Sequence, residues 1–481
     1  MPNQCRADRR GVLPPIAGLL AVESAAMPQE SRTHALDRLG AFPAKPGRPG
    51  SPGGSPGLQL AVSVVVPGAP SVRRAPVVGA LLLMLGIVLP IVTAAWAFSR
   101  RDDLVGLALD PRFLTVVIIV GLTVVLARLF AIAEVAHAFR ATRAIGAKTM
   151  VATLVVLAMA TPVLWLAFRA NEARSVVADV FAAEDTPALF VPAGPAPDTN
   201  QVTNILLLGG DAGPGRWGLR TDTMILVSIH EASGRAALVS IPRNLTRLQF
   251  PPGSPMAAEF PNGFDDLTNA VFPYVSTHEN LITAYSRDGL QPEALALTEG
   301  LGYSLDVAID DYALVNMQGF LEVIDAVGGF TIELSESVQL PPSIPGGKHP
   351  IPTSIGPGLV EMDGTLAIAY ARSRSQDSDY QRMGRQRQLL AALGTQVSAS
   401  DAVGGFSQVT GALGDSMRTS LSSGEFSDLL DLLGDNTAIG ESVGLIPPLI
   451  EPGDPDYAQI RVIIDAIQQS LISGQPSGYA G

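Results

Sequence analysis

Three long apolar segments constrain the fold of this chain more than any other feature of its sequence. Residues 77–98, 113–133 and 150–168 are 22, 21 and 19 residues long, and together they hold one charged residue, Arg128. An α-helix of about 20 apolar residues is long enough to cross the hydrocarbon core of a bilayer. Helices buried in globular domains are usually shorter and amphipathic. The segments therefore predict three transmembrane helices.

The charges beside these segments predict their orientation. Residues 1–75 carry nine Lys and Arg against four Asp and Glu, and the connection between the second and third segments is also basic. Lys and Arg accumulate on the cytoplasmic side of membrane proteins. We therefore expect the N-terminus and this connection to lie in the cytoplasm. The chain after residue 169 is then extracytoplasmic, and the protein is a multi-pass protein of the plasma membrane.

Composition divides the rest of the chain. Residues 1–75 include a dense run of Pro and Gly and are expected to form a disordered cytoplasmic tail. The membrane region spans residues 76–169, and residues 170–199, which include a Pro-rich run, are expected to form a stalk. Residues 200–475 are predicted to fold as one domain, followed by a flexible C-terminus, 476–481. The only cysteine of the chain lies in the tail, so this domain has to be stable through its own core.

Hydrophobic patterns within that domain predict a mixed α/β fold. Short apolar runs at 204–210, 221–230 and 236–242 indicate strands, and the last two are joined as a hairpin. Residues 310–334 indicate a strand, a helix and a second strand, and residues 292–301 a further helix. The expected fold class is α/β, with three N-terminal transmembrane helices followed by an extracytoplasmic mixed β-sheet flanked by helices.

Arginine is concentrated at one place in an acidic half-chain. Residues 170–481 carry 37 Asp and Glu against 15 Lys and Arg, yet five arginines fall within sixteen residues: Arg372, Arg374, Arg382, Arg385 and Arg387. A guanidinium group offers a planar fork of donors that matches phosphate oxygens. One interpretation is a pyrophosphate-binding clamp. The other is a solvated helix face whose arginines pair with nearby aspartates.

A helix beginning near Asp379, its predicted N-cap, and running to about Val397 would carry part of this cluster. On that helix Arg382, Arg385 and Gln386 fall at i, i+3 and i+4, which places them on one face.

Two aspartates are predicted to lie at one edge of the sheet. Asp211 comes directly after the first strand, and Asp222 lies at the start of the second. If the strands are neighbours, both carboxylates can bind one Mg²⁺, which takes carboxylates, waters and phosphate oxygens. The alternative is an Asp in a turn and an Asp capping a strand. Arg220 and Arg243 end segments that could reach the same edge.

The order of these motifs resembles that of the LytR-CpsA-Psr family of cell-envelope phosphotransferases. The resemblance covers about residues 200–475, and its Arg-rich block is the most specific. The matching blocks are, in chain order, NILLLGGD, LRTDTMILVSI, LVSIPRN, LTNAVF, YALVNMQGFLEVIDAVGGFTIEL and GTLAIAYARSRSQDSDYQRMGRQRQLL.

The resemblance implies a hydrophobic tunnel for a polyprenyl tail and Mg²⁺-dependent transfer of a glycopolymer phosphate from a polyprenyl-pyrophosphate carrier onto peptidoglycan, during cell-wall assembly. The implied partners are the carrier-linked glycopolymer, the peptidoglycan acceptor and the membrane, with no nucleic acid. The implied metal ligands are Asp211 and Asp222. The implied pyrophosphate contacts are Arg220, Arg243, Arg372, Arg374, Arg382, Arg385 and Gln386. The residues assigned to catalysis are Arg243, Arg372, Arg374 and Asp379.

The chain departs from the family pattern in three ways. Asn244 stands where the family usually has Asp, which leaves the general base unassigned, and Leu267 stands where it usually has Lys. The most common members also have one membrane span. A Ser-His-Asp hydrolase is not expected, because the domain has only three histidines. The rival to an enzyme is a protein of the same fold that binds polyprenyl pyrophosphates without turnover, or a membrane-anchored regulator.

Overall fold

The computed structural model describes residues 55–100, 106–107, 110–139, 145–182, 187–192, 202–210, 220–287, 289–374, 378–396, 416–434 and 439–479. Most of the predicted tail and the metal-ligand candidate Asp211 lie outside the described residues, as does much of the predicted stalk.

Three long apolar helices confirm the predicted membrane segments. Each is long and apolar enough to cross a bilayer, with a mean hydropathy of 2.6, 2.7 and 2.2 in chain order. Arg128 in the second of them donates to the carbonyl of Gly86 at 3.3 Å, within a π-helical turn of the first. The helices that precede the domain are α1 (Pro56–Val65), α2 (Pro76–Ser99), α3 (Pro111–Ala138) and α4 (Ile145–Val180).

Helix α1 corrects the expectation that residues 1–75 are disordered throughout. Ser55 caps it by accepting from the amide of Leu58 at 3.3 Å, and Pro56 occupies the first turn. Leu60 and Val64 are buried in an apolar cluster with side chains of α3 and α4. The sequence did not predict this short helix, because it begins at the end of a Pro- and Gly-rich run. Its stability comes from packing on two other helices.

Helix α4 extends past its predicted end. It continues through residues 170–180, so the segment expected to be a stalk begins as helix. Arg169 pairs with Glu172 at 2.8 Å across one turn, and Val176, Val177 and Val180 are buried. No Pro or Gly interrupts this stretch, and the helix therefore extends from the membrane segment to the folded domain.

The domain is built on a mixed six-stranded sheet with the order β10-β3-β2-β1-β4-β9. β2 is antiparallel to both β1 and β3, β4 runs parallel to β1, and β10 runs parallel to β3. Two-stranded sheets form from β5 with β8 and from β6 with β7. The strands are β1 (Val202–Gly210), β2 (Thr221–His230), β3 (Ala236–Ser240), β4 (Asp311–Asn316), β5 (Phe330–Leu334), β6 (Val338–Gln339), β7 (Ser354–Ile355), β8 (Gly358–Met362), β9 (Met417–Thr419) and β10 (Ile439–Gly444).

The helices lie on both faces of this sheet, so the predicted fold class is confirmed. The strands expected from the apolar runs are present as β1, β2 and β3, and the strand, helix and strand expected in residues 310–334 are β4, α9 and β5. The helices are α5 (Pro255–Glu259), α6 (Val271–Ser276), α7 (Glu279–Tyr285), α8 (Pro292–Leu305), α9 (Met317–Ala326), α10 (Gly364–Arg372), α11 (Asp379–Gln396), α12 (Ser423–Gly434) and α13 (Tyr457–Ser473).

The two faces of the main sheet are packed differently. Successive side chains of a strand point to opposite faces. Leu206 and Leu208 of β1 join the large core that α8 and α13 cover. Ile205 and Leu207 face the other way and line a cavity between the sheet and helices α9 to α12. One face of the sheet is therefore closely packed, and the other borders open space.

This difference predicts unequal effects of two neighbouring substitutions. Leu206→Ala removes a side chain that is 0% exposed, and we expect it to lower the free energy of unfolding by about 3 kcal/mol. Leu207→Ala should lower it by only about 1 kcal/mol, because the cavity already leaves part of that side chain without partner atoms. Urea titration of the detergent-solubilised protein, followed by circular dichroism, measures both. Equal losses would show that the two faces are equally packed.

Candidate active site

The candidate site lies at the edge of the sheet where β1 ends and β2 begins. Gly210, the last residue of β1, is paired with Thr221, the first residue of β2. Gly209 faces Thr223 so closely that an added Cβ would lie 2.7 Å from the Thr223 Cβ. This close approach requires glycine and brings the two strand ends together. Asp222 follows at the edge, with its side chain 18% exposed.

Arg243 joins this edge to helix α11. It follows β3 and Pro242, and its Nη1 donates to Asp222 Oδ1 at 3.0 Å while its Nε donates to Asp379 Oδ2 at 2.9 Å. Burial lowers the pKa of Arg243, but the hydrogen bonds and charges of Asp379 and Asp222 outweigh burial, and the pKa lies above its ordinary value. Arg243 is therefore a cation held between two carboxylates.

The first turn of α11 supplies a second cation, and this one is buried. Arg382 is 4% exposed, its Nη2 lies 3.0 Å from Asp379 Oδ1, and the same nitrogen donates to the backbone carbonyl of Asp222 at 3.2 Å. Its Nε is buried without a hydrogen-bond partner among the described residues. Burial lowers the pKa of Arg382, although a guanidinium group stays protonated in proteins. An incompletely satisfied buried cation favours an anionic ligand.

Asp379 is the first helical residue of α11, not its N-cap as predicted. Its carboxylate is engaged by Arg243 and Arg382 instead of by backbone amides. Burial raises the pKa of Asp379. The charges of Arg382 and Arg243 lower it by more than burial raises it, so the pKa lies below its ordinary value. Asp379 is therefore ionised at neutral pH.

Two arginines at the end of α10 extend the cluster. Arg374 is half exposed, and its Nη2 lies 3.8 Å from Asp379 Oδ1 and 4.0 Å from Asp222 Oδ2. Arg372, the last residue of α10, lies at the cavity and contacts the Met317 sulfur. Four guanidinium groups and two carboxylates thus meet at the cavity edge, and their formal charges leave an excess of +2.

The structure does not bring every predicted site residue to the cavity edge. Gln386 lines the cavity one turn after Arg382. The Nη2 of Arg385 instead donates to the Ser373 carbonyl at 2.6 Å, beside the loop that carries Arg374. Arg387, counted in the cluster, donates to Ser442 Oγ at 3.0 Å in β10. Arg220 is exposed and makes no hydrogen bond or ion pair within the described part of the chain.

Asn269 is a site residue that the sequence analysis did not single out. It lies in the turn before α6, is 1% exposed, and donates from Nδ2 to Asp222 Oδ1 at 3.3 Å. Its backbone amide donates to the Arg243 carbonyl at 3.2 Å, so it contacts both members of the ion pair. Asn269 lies in the block LTNAVF, whose resemblance to the family pattern is the sequence feature by which this residue could have been found. Asn244 and Asn269 each have a buried side-chain oxygen without a described hydrogen-bond partner.

An apolar cavity of about 680 Å³ opens from this cluster. Its walls are mainly aliphatic and aromatic, including Leu207, Val227 and Phe320, whereas its charged lining residues are Asp222, Arg372, Arg374 and Arg382. Pockets of this type bind amphiphilic molecules by burying the apolar part and orienting the polar part. The arrangement therefore suits a molecule with an anionic head and a long apolar tail.

The oxygen groups at the edge fit a hard cation. The carboxylate of Asp222 and the buried side-chain oxygen of Asn269, which has no described hydrogen-bond partner, are the kind of donor that Mg²⁺ prefers. Within the described ranges, no group of three or more His, Cys, Asp or Glu side chains could by itself hold a metal ion. A site at this edge would therefore draw on Asp211, the residue directly after Gly210, which lies outside the described residues.

The ion pairs predict a pH-dependent effect of Asp379→Asn. A lowered pKa in the folded state stabilises the fold above the ordinary Asp pKa of 3.8, and this stabilisation is lost as the pH falls through the lower, folded-state value. Asp379→Asn should therefore cost on the order of 1 kcal/mol at pH 7 and progressively less below pH 3.8. Melting temperatures of both proteins from pH 7 to pH 3 measure this. A difference that stays constant with pH would contradict it.

Comparison with known proteins yields one family model and several relatives. The LytR_cpsA_psr family model matches residues 182–440, more than half of the chain. Biofilm regulatory protein A of Streptococcus mutans is 29% identical over 207 residues, covering 42% of this chain and 45% of that protein. The polyisoprenyl-teichoic acid–peptidoglycan teichoic acid transferase TagU of Oceanobacillus iheyensis is 30% identical over 202 residues, covering 42% and 53%. The chain thus spans about half the length of these relatives.

Solved structures also align with the domain. Bacillus subtilis TagV matches with a TM-score of 0.40 at 20% identity, covering 58% of this chain and 99% of that one. TagT bound to LIIa-WTA matches with a TM-score of 0.40 at 20% identity, covering 61% and 98%. The family match includes the strand ends, Arg243 and the whole Arg-rich block. The chain therefore belongs to the LytR_cpsA_psr family.

Proposed function

We propose that this protein transfers a glycopolymer phosphate from a polyprenyl-pyrophosphate carrier onto peptidoglycan. The observation that carries the proposal is the combination of an apolar cavity with three arginines that line one end of it, and with Arg243 bonded to Asp222 beside them. The cavity accommodates part of a prenyl tail, and the arginines neutralise a pyrophosphate. The names of the TagU and TagV relatives describe teichoic acid transfer from a polyisoprenyl carrier to peptidoglycan, which supports the proposal.

The reaction forms and breaks one phosphorus–oxygen bond. A hydroxyl of the acceptor attacks the phosphorus that carries the glycopolymer, the bond from that phosphorus to the bridging oxygen breaks, and polyprenyl phosphate leaves. The hydroxyl proton is released to solvent. Phosphoryl transfer depends mainly on positioning and charge stabilisation. Arg382 and Arg374 lie where they can stabilise the departing phosphate, and Arg243 is held in place by its two carboxylates.

Mg²⁺ is part of the proposal, with Asp222 and Asp211 as its ligands. When bound, the ion would neutralise phosphate charge and hold the pyrophosphate in position. Arg243 donates a hydrogen bond to Asp222 Oδ1, so Oδ2 is the oxygen of Asp222 that would bind a cation. If turnover is unchanged after EDTA has removed Mg²⁺, the proposed role of the metal in transfer is wrong.

The matched pair Arg382 and Arg387 tests the role of the arginines. Both are buried arginines of α11, but only Arg382 lines the cavity. Arg382→Lys keeps the charge and loses the planar fork, and should weaken binding of the pyrophosphate donor by about 1–3 kcal/mol and slow transfer. Arg387→Lys should leave donor affinity unchanged. Donor binding and transfer to peptidoglycan are measured with the purified full-length protein.

Three outcomes of this experiment are informative. Selective weakening in Arg382→Lys together with transfer by the wild type supports the enzyme. Donor binding by the wild type without transfer would instead establish a lipid-binding protein, an alternative that Asn244 favours because it provides no carboxylate. Equal effects of both substitutions would reject the arginine clamp.

The proposed activity requires the domain to face the cell wall. The positive charge of the connection between α3 and α4 supports a multi-pass arrangement with that connection in the cytoplasm. In a variant with Cys5 replaced, a membrane-impermeant thiol reagent applied to intact cells should label Val191→Cys, an exposed position after α4, and should not label Ala144→Cys. The reverse pattern would overturn the orientation.

A further inference from the structure

The cavity extends along the sheet away from the arginines. Thr223 lines it at the edge that carries Asp222, and Ile229 lines it near the other end of β2. A strand rises about 3.3 Å per residue, so the six steps between these residues span roughly 20 Å. Ile205 of β1 lies at the same distant end, since β1 is antiparallel to β2. The cavity is therefore elongated, with a charged end and an apolar end.

The residue that follows the third membrane helix lies at the apolar end of the cavity. Phe181 comes directly after α4, lines the cavity and is 8% exposed. Its ring lies 5.3 Å from that of Phe426 in α12, and Leu429 of the same helix lines the cavity beside them. The amide of Ala182 donates to the Leu421 carbonyl at 3.0 Å and holds this segment against the domain.

The volume limits how much of an apolar chain fits inside. A benzene molecule fills a protein cavity of about 150 Å³, which corresponds to roughly 25 Å³ per carbon. The cavity of about 680 Å³ therefore holds about 27 carbons on this scale. A prenyl chain longer than this cannot lie in the cavity while the aromatic pair closes its end.

We propose that Phe181, packed against Phe426, is a stop that determines the length of prenyl chain the cavity accepts. This inference rests on the proposed function, because it assigns the prenyl tail of the donor to the cavity. Shorter chains end before the aromatic pair. Longer chains have to displace Phe181 and then leave the cavity beside α4, at the side from which the membrane helix arrives.

The test compares prenyl pyrophosphates of increasing length: geranyl, farnesyl, geranylgeranyl and solanesyl pyrophosphate. The first three are shorter than the capacity of the cavity and the last is longer. Binding is measured with full-length wild-type protein, Phe181→Ala and Phe426→Ala in detergent. Partition of the longer lipids into micelles affects all proteins alike, so the readout is the affinity of each variant relative to wild type at each length.

Both variants should bind solanesyl pyrophosphate several-fold more tightly than wild type does, with no comparable gain for geranyl pyrophosphate. Phe320→Ala is the matched control, because Phe320 lines the cavity from α9, one turn after the Met317 that contacts Arg372. It enlarges the cavity near the charged end, so its effect should not grow with chain length.

Relative affinities that do not depend on length in folded Phe181→Ala and Phe426→Ala would overturn the stop. The same length dependence in Phe320→Ala would also overturn it, because volume alone would then be responsible. Failure of wild type to bind any of the four pyrophosphates would reject the proposed function, and with it the inference. Tight wild-type binding that is insensitive to Phe181→Ala leaves the proposed function intact and rejects the stop alone.

Discussion

The ion pairs of Arg243 hold the candidate site together. Its guanidinium group bonds to Asp222, 21 residues earlier, and to Asp379, 136 residues later. Arg243 therefore links the edge of the sheet directly to the first turn of α11. The position of Arg382 follows from that link, because Arg382 shares Asp379 with Arg243 and also bonds to the backbone of Asp222.

This arrangement leaves the site short of negative charge. Three arginines, Arg243, Arg374 and Arg382, share two carboxylates, and the buried Nε of Arg382 has no described partner. Like charges held close together in a partly desolvated region repel each other more strongly than in water. An anion with several oxygens would relieve both the repulsion and the unsatisfied donor. This excess of positive charge is the basis for proposing a phosphate-containing ligand at this edge.

The asymmetry of the sheet connects the site to the membrane anchor. One face is covered by a continuous core, and the other borders the cavity that begins at the arginines. Because α4 continues without interruption to Val180, its last residues reach the domain, and Phe181 lines the cavity. The anchor is therefore also part of the wall of the binding site, which a flexible stalk beginning at residue 170 would not allow.

Local pattern was enough to predict the membrane helices, the first strands and the region of the site. A sufficiently long apolar segment identifies a membrane helix, and apolar runs bounded by turn residues identify strands. Both patterns are local and do not depend on contacts with the rest of the chain. The concentration of arginine marked the correct stretch of chain. Tertiary structure decided which of those arginines line the cavity: Arg372, Arg374 and Arg382 do, whereas Arg385 and Arg387 bond to Ser373 and Ser442. It also decided that Asn269 contacts Asp222 and Arg243, that α1 packs on α3 and α4, and that Phe181 lines the cavity. Each of these depends on contacts between distant segments, and such contacts have no period or motif in the sequence by which they can be recognised.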